Sequence, residues 1–338
     1  MATLAANNLT IADVAKTLDP DGSPSKMAEL LNQQNEVLDD IPWVKANKLD
    51  AHQYGMRTSI PVAGTRGPNE GVTPSATSSA QATEVTTVFE DWTVVDELVA
   101  GLGGNLGANL HNETVGKLES MNQGFTNMLF NGNHATTPRS FTGFGPRYAV
   151  TGSTGTGPNV IPAGGVGADN SSIWLVGWGE GKVYGIYPDI AGTVAGLRMK
   201  DWGLQPVRSA ATDAGIDQPV LAAYQIQLQW KCGLAVHDWR YVIRISNIDL
   251  SLLQAGTGAD LVTRMIQAWH RMPKIGNPRK AFYMNRTVFQ ELDRQARANV
   301  QAGGQLTYEV VAGKPITMFR DAAVRVVDQL GIAETLTT

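Results

Sequence analysis

From Pro61 to Ala82 the chain is rich in glycine, proline, serine, threonine and alanine, with almost no large apolar residue to anchor it to a core. The flanks are different. Tyr54, Met56, Thr58 and Ile60 precede it and Val85, Thr87 and Phe89 follow it, each set at alternate positions. Successive side chains of a strand point to opposite faces, so both flanks read as strands and His52 to Asp96 as one long hairpin with a projecting tip. Two readings of the hairpin stand side by side: a mobile surface loop, or an arm reaching onto a neighbouring subunit. In either case the core must come from the rest of the chain.

That core has ample material. Hydrophobic residues make up 43% of the 338 residues and charged residues only 17%, against roughly 25% charged in an average soluble domain. Few charges are left for a solvated surface, so much of the surface should be buried against something else. At ~150 residues per domain the length suggests about two domains. The net charge of −4 provides no overall basic field to hold polyanions, which disfavours a dedicated nucleic-acid binder. A single cysteine, Cys232, excludes an intrachain disulfide and a thiolate-rich zinc site, and its mid-strand position suggests an inert packed thiol. The opening MATLAANNLTIADVAK does not read as a signal peptide, and nothing approaches the ~18 apolar residues of a membrane span.

Residues 1–51 read as an N-terminal arm. Thr10 with Asp13 starts one short helix; Ser23 and Pro24 start another, with a stripe through Met27, Leu30, Leu31, Leu38 and Ile41 that Pro42 breaks. Asn105 to Phe130 reads as a long helix whose Gly116 and Gly124 suggest close packing against another backbone, ending in a left-handed stop at Asn131-Gly132-Asn133. Ile173 to Pro188 reads as a hairpin turning at Gly179-Glu180-Gly181. Gln218 to Ile248 reads as two strands, QPVLAAYQIQLQWKCG and LAVHDWRYVIRISNID. Trp174, Trp178, Trp230 and Trp239 fall in these strands and are expected to pack in the core. The last third alternates: a helix from Gly258 to Met272, a strand from Ala281 to Met284, a helix capped by Asn285 and closed by Gly303-Gly304, then strands at 306–311, 316–320 and 324–330.

Signals for chemistry are poor. Gly101, Gly103, Gly104 and Gly107 superficially match a dinucleotide fingerprint, but Leu106 occupies the third glycine position, so the segment reads as a hinge. Gly181-Lys182 and Gly313-Lys314 lack the rest of a phosphate loop. Ser23 to Lys26 has the Ser-x-x-Lys spacing of some acyl enzymes, but helix capping accounts for the serine. His52, His111, His134, His237 and His270 show no paired metal-ligand spacing. Glu90, Asp91, Asp96 and Glu97 suit a solvated or intersubunit face better than a cation site. No catalytic residue, cofactor site or metal site is expected.

SSIWLVGWGEGKVYGIYPD, WKCGLAVHDWRYVIRISNID, KAFYMNRTVFQEL and VRVVDQL, in this order, resemble the major capsid proteins of tailed bacteriophages, especially short-tailed, podovirus-like ones. The first half is similar in layout: an arm, an extended hairpin, and a long helix leading into FNGNHATTPRSFTGFGPRY. The resemblance covers nearly the whole chain. It implies an α+β, Hong Kong 97-type fold with an N-terminal arm at 1–51, an extended loop at 52–96, a peripheral domain at 97–250 with its spine helix at about 105–130, an axial domain at 251–323, and a return strand and tail at 324–338. Connectivity is left open to permutation, because the strand block 173–248 precedes the axial-like segment.

The resemblance also implies partners. Copies should form hexamers and pentamers of an icosahedral shell in the virion, assembled in the host bacterial cytoplasm. The shell would enclose double-stranded DNA without sequence-specific binding and have no membrane association. A separate scaffolding protein follows from an arm too short for a cleaved built-in scaffold; a portal and a decoration or cement protein complete the set. Candidate intersubunit contacts are Arg57, Arg66 and Glu70 on the loop with Glu90 and Asp91; the glycines at 101, 103, 104 and 107 are candidate hinges between differing neighbours. Some family members crosslink through a lysine on the loop, but this chain has none between Lys48 and Lys117. Competing classes are a phage tube or baseplate protein, and a hydrolase or transferase whose site converges only in three dimensions.

Overall fold

The computed structural model describes residues 33–101, 106–190, 196–208, 220–298, 307–311 and 314–337. The expectations for residues 1–32, for Gly103 and Gly104, and for Gly303-Gly304 lie outside them. In chain order the strands are β1 (Trp43–Lys45), β2 (Ala51–Ser59), β3 (Ser78–Asp96), β4 (Val160–Pro162), β5 (Asn170–Trp178), β6 (Val183–Tyr187), β7 (Leu197–Arg208), β8 (Val220–Val236), β9 (Val242–Asp249), β10 (Arg279–Met284), β11 (Thr307–Val311), β12 (Lys314–Phe319) and β13 (Ala322–Val326). The α-helices are α1 (Glu97–Ala100), α2 (Leu106–Asn131), α3 (Phe144–Arg147), α4 (Leu250–Gln254), α5 (Leu261–Arg271) and α6 (Arg286–Ala298). Mixed helices and strands of this kind make the fold α+β.

The chain divides into two compact units. One comprises Met1–Asn35, Val88–Thr126 and Gly196–Lys231; the other comprises Glu36–Thr87, Asn127–Ala195 and Cys232–Thr338. The boundaries fall inside β3, α2 and β8.

In the larger unit β5 is buried along its whole length and pairs antiparallel with both β9 and β10. A strand covered on both faces needs no polar side, which explains the nearly continuous apolar run IWLVGW. β10 runs parallel to β13, which continues antiparallel into β12 and β11. β6 lies parallel to β1 and antiparallel to the end of β8. Trp174 and Trp178 join Phe130, Phe144, Tyr148 and Tyr283 in an aromatic core, with Phe144–Trp174 centroids 5.8 Å apart and Trp178 Nε1 donating to Tyr283 Oη at 2.7 Å. α5 buries Leu261, Val262, Met265, Ala268 and Trp269, a helical spacing, and Asp260 caps it by accepting from Thr263 N at 3.1 Å.

In the smaller unit β8 lies between β3 and β7. One face carries α2: Phe125 packs on Trp230 at 4.5 Å and on Phe89 at 6.4 Å between centroids, and Leu106, Leu110 and Tyr224 pack on Val95, Val99 and Ala100.

Several expectations need correction. The segment 173–188 is no simple hairpin: the chain turns at Gly181 (φ 73°), but both edges of β5 are taken by β9 and β10, and it meets β6 at one residue pair only. The break between the next two strands falls at His237–Tyr241 and not at Gly233. A Cβ at Gly233 would lie 2.8 Å from Val85 O, so this glycine serves a close approach within β8 and not a turn. Trp239 therefore sits on the turn, outside any strand. Gly132 does not have a positive φ; a Cβ there would stand 2.7 Å from Phe141 O, because the chain folds back over the helix end. Gly116 faces open space and Gly124 meets only the Phe89 side chain, so neither marks a close backbone contact. The helical stripe expected at Leu38 to Ile41 is a 3-10 turn, Glu36–Asp39, burying Val37 and Asp40. The terminal strand ends at Val326, where Val327 N turns onto Met284 O at 2.9 Å.

Candidate assembly surfaces

The hairpin is paired from Ala51↔Val85 to Arg57↔Ser79, with an irregularity between Arg57 and Ser59. Beyond it the chain projects: Ile60 is 79% exposed and Val62 83%. At the tip, Glu70 closes a turn by accepting from Gly67 N at 2.9 Å, with Asn69 left-handed at φ 67°. Arg66 reaches only Glu70 O, at 3.4 Å. Arg57 makes no side-chain hydrogen bond or ion pair among the described residues. Exposed apolar side chains and guanidinium groups are thus presented together, Arg57 without a side-chain partner among the described residues and Arg66 held only by its own loop.

The root is fixed by contrast. Glu84, on the inner side of β3, accepts from both terminal nitrogens of Arg147, at 2.8 and 2.5 Å, and from Tyr54 Oη at 3.0 Å. Tyr54 Oη also lies 2.7 Å from Val236 O, and its ring stacks on His237 at 4.5 Å. Burial opposes the charge on Arg147, but its hydrogen bonds to Glu84 hold its pKa above the ordinary value. Burial, then the Glu84 charge, pushes Tyr54 well above the phenol range. His52 Nε2 lies 3.0 Å from Tyr184 Oη, and burial pushes Tyr184 up to about 12. Arg147 is brought here by Gly143 and Gly145, where a Cβ would meet Leu129 O at 2.5 Å and Phe130 O at 2.7 Å; the FTGFGPRY segment closes over the end of α2 because those positions have no side chain.

A second buried node ties the segment before β1 to the sheet. Asp40 has a fully buried carboxylate that accepts from Tyr283 Oη at 2.7 Å, Arg325 Nη2 at 3.2 Å and Arg279 Nη2 at 2.6 Å. At the tail, Arg244 pairs with Glu334 at 2.8 Å and Thr337 N donates to Asn247 Oδ1 at 2.9 Å. None of these ion pairs was singled out from sequence. Their only signal is a charge set inside an apolar run, as with Arg325 in VRVV and Arg244 in VIRIS.

The other expected contact residues lie in the smaller unit and interact within it. Glu90 accepts from Gln229 at 2.7 Å, Trp92 Nε1 at 2.7 Å and Gln227 at 3.0 Å, which hold its pKa below the usual range. Asp91 faces Lys117 at 3.5 Å. Gly101 caps α1 with ordinary helical φ, −78°, and Gly107 lies in the first turn of α2. Cys232 is fully buried, and burial raises its thiol pKa. No cluster of three metal-binding side chains occurs among the described residues, and no described helix is long and apolar enough to cross a membrane.

Comparison with known proteins defines the class first. A near-atomic cryo-EM structure of bacteriophage Epsilon15 matches with 28% identity and a TM-score of 0.76, covering 100% of both chains. The bacteriophage JBD30 capsid matches at 10% identity and a TM-score of 0.47, covering 90% of this chain and 94% of that one. No curated protein sequence matches. The fold is the Hong Kong 97 type of phage capsids. The chain belongs to the family Major capsid protein GP7, whose model matches residues 19–338. It is a shell-forming protein of the phage virion with a structural role, which sets aside the tube and baseplate readings.

Proposed function

We propose that copies of this chain form hexamers and pentamers that close into an icosahedral shell around double-stranded DNA, assembling in the host cytoplasm on a separate scaffolding protein. A portal and a decoration or cement protein complete the particle. One observation carries this reading: a hairpin fastened at its root by buried hydrogen bonds offers exposed Ile60, Val62, Arg57 and Arg66, which among the described residues meet nothing beyond their own loop. Apolar area covered by neighbours supplies about 25 cal/mol per Å², less the cost of ordering the partners. Within this reading 52–96 is the extended loop, 97–250 the peripheral domain with its spine at about 105–130, 251–323 the axial domain and 324–338 the return segment and tail. Gly101 to Gly107 is the hinge that lets one sequence meet five- and sixfold neighbours.

Arg66→Glu tests it. The side chain is exposed and, among the described residues, hydrogen-bonds only its own loop, so subunit stability should change by no more than about 0.5 kcal/mol, while particle yield falls several-fold in sedimentation; an unchanged yield counts against the loop contact. The absence of any lysine between Lys48 and Lys117 gives a second expectation. Mature particles should run as monomer bands in denaturing electrophoresis, and covalent ladders would contradict it.

A further inference from the structure

The turn at His237–Tyr241 separates two cavities of the larger unit. One, of about 610 Å³, is lined by Pro158, Asn159, Val160, Trp239, Arg240 and Arg271, among others, and has no carboxylate in its wall. The other, about 630 Å³, is lined by Arg57, His237, Asp238 and Arg240. The turn is held firmly: Trp239 O accepts from Tyr148 Oη at 2.7 Å and from Asn159 Nδ2 at 3.1 Å. Asp238 neutralises Arg240 through Nε at 3.0 Å and Nη2 at 2.7 Å. Arg271 has only backbone carbonyls, Pro158 O and Val160 O, both reached by Nη1. Its remaining N–H groups have no partner among the described residues. Three guanidinium groups thus surround one turn with a single carboxylate between them.

We propose that the Trp239 cavity is a socket for a carboxylate of a second copy of this chain, with Arg271 as its receiving cation and Arg240 beside it. This rests on the proposed packing of copies in rings. A guanidinium fork matches a carboxylate in two parallel hydrogen bonds, and a concave wall partly shields the pair from water. The chain has the complementary groups: the exposed carboxylates of Asp50, Glu97 and Glu180 make no hydrogen bond or ion pair among the described residues. Nucleic-acid phosphate is the less favoured occupant, because tracking a polyanion needs an array of cations and the chain carries a net charge of −4.

The test uses assembled particles of Arg271→Lys treated with a water-soluble carbodiimide, which joins an amine directly to a carboxylate. Covalent dimers at least tenfold above carbodiimide-treated wild type are expected, with peptide mapping that joins position 271 to an Asp or Glu of another copy. Monomers alone, or links only within one chain, overturn the socket. Should that variant give no particles, Arg271→Gln decides: an unchanged subunit melting temperature with particle yield down tenfold or more supports it, and unchanged yield overturns it. Normal particles with reduced packaged DNA assign the cavity to phosphate and also overturn it. Failure of the wild type itself to form closed particles would instead count against the ring assembly.

Discussion

Replacing Glu84 by alanine should destabilise the subunit by about 3 to 5 kcal/mol, because it leaves the Arg147 guanidinium buried without a counter-charge. The magnitude follows from position. Glu84 and Arg147 side chains are only 9% and 21% exposed, so water replaces the lost partner only in part. The same substitution removes the acceptor 3.0 Å from Tyr54 Oη. Arg147→Met should cost a comparable amount. The double variant Glu84→Leu with Arg147→Met should cost much less than the sum, since no buried charge is then left unpaired. Urea unfolding of the subunit measures these differences. Hydrogen exchange along Ala51–Ser59 should quicken in the single variants, because this contact anchors the hairpin. Single-variant losses below about 1 kcal/mol would mean that the root is held by packing alone.

Asp40→Ala should be at least as damaging, about 3 to 5 kcal/mol, and should reduce soluble yield. Its carboxylate is fully buried and receives Tyr283, Arg325 and Arg279. Arg325 is 12% exposed and, among the described residues, would retain only Glu36, at 3.4 Å, as an acid partner. Burial, reinforced by the Asp40 charge, pushes Tyr283 far above the phenol range, so the hydroxyl stays a donor at every working pH. Asp40→Asn keeps an acceptor for Tyr283 but loses the charge, and should fall between wild type and alanine. A melting temperature for Asp40→Ala equal to wild type would show that the node adds nothing to the fold.

What the sequence disclosed depended on how local the determinant was. The hairpin was legible because strand alternation flanks a stretch with no anchoring residues, and the long helix because Met121, Phe125 and Leu129 recur every four residues. Pairing partners were not legible. IWLVGWGEGKVYGIYP reads as a hairpin by turn chemistry alone, whereas the occupied edges of β5 depend on strands far away in sequence. Gly233 reads as the end of a strand and Gly132 as a left-handed stop, yet each exists for a backbone passing close by, which no local pattern reveals. The contact candidates divide for the same reason. Arg57 and Arg66 are exposed and meet nothing beyond their own loop among the described residues, as their polar surroundings suggest; Glu90 and Asp91 look just as available, but Gln227, Gln229 and Lys117 reach them within the smaller unit. Glu84, Arg147 and Asp40 were invisible as a set because an ion pair between residues 63 or more apart leaves no spacing to read.

By the proposed reading, many copies of this one chain close into a shell through surfaces left exposed in the single copy. Electron microscopy of the purified protein, coexpressed with its scaffolding protein, tests this most directly. Closed particles of uniform diameter, with both five- and sixfold rings in the reconstruction, are the predicted result; open tubes, isolated rings or small soluble oligomers would contradict it.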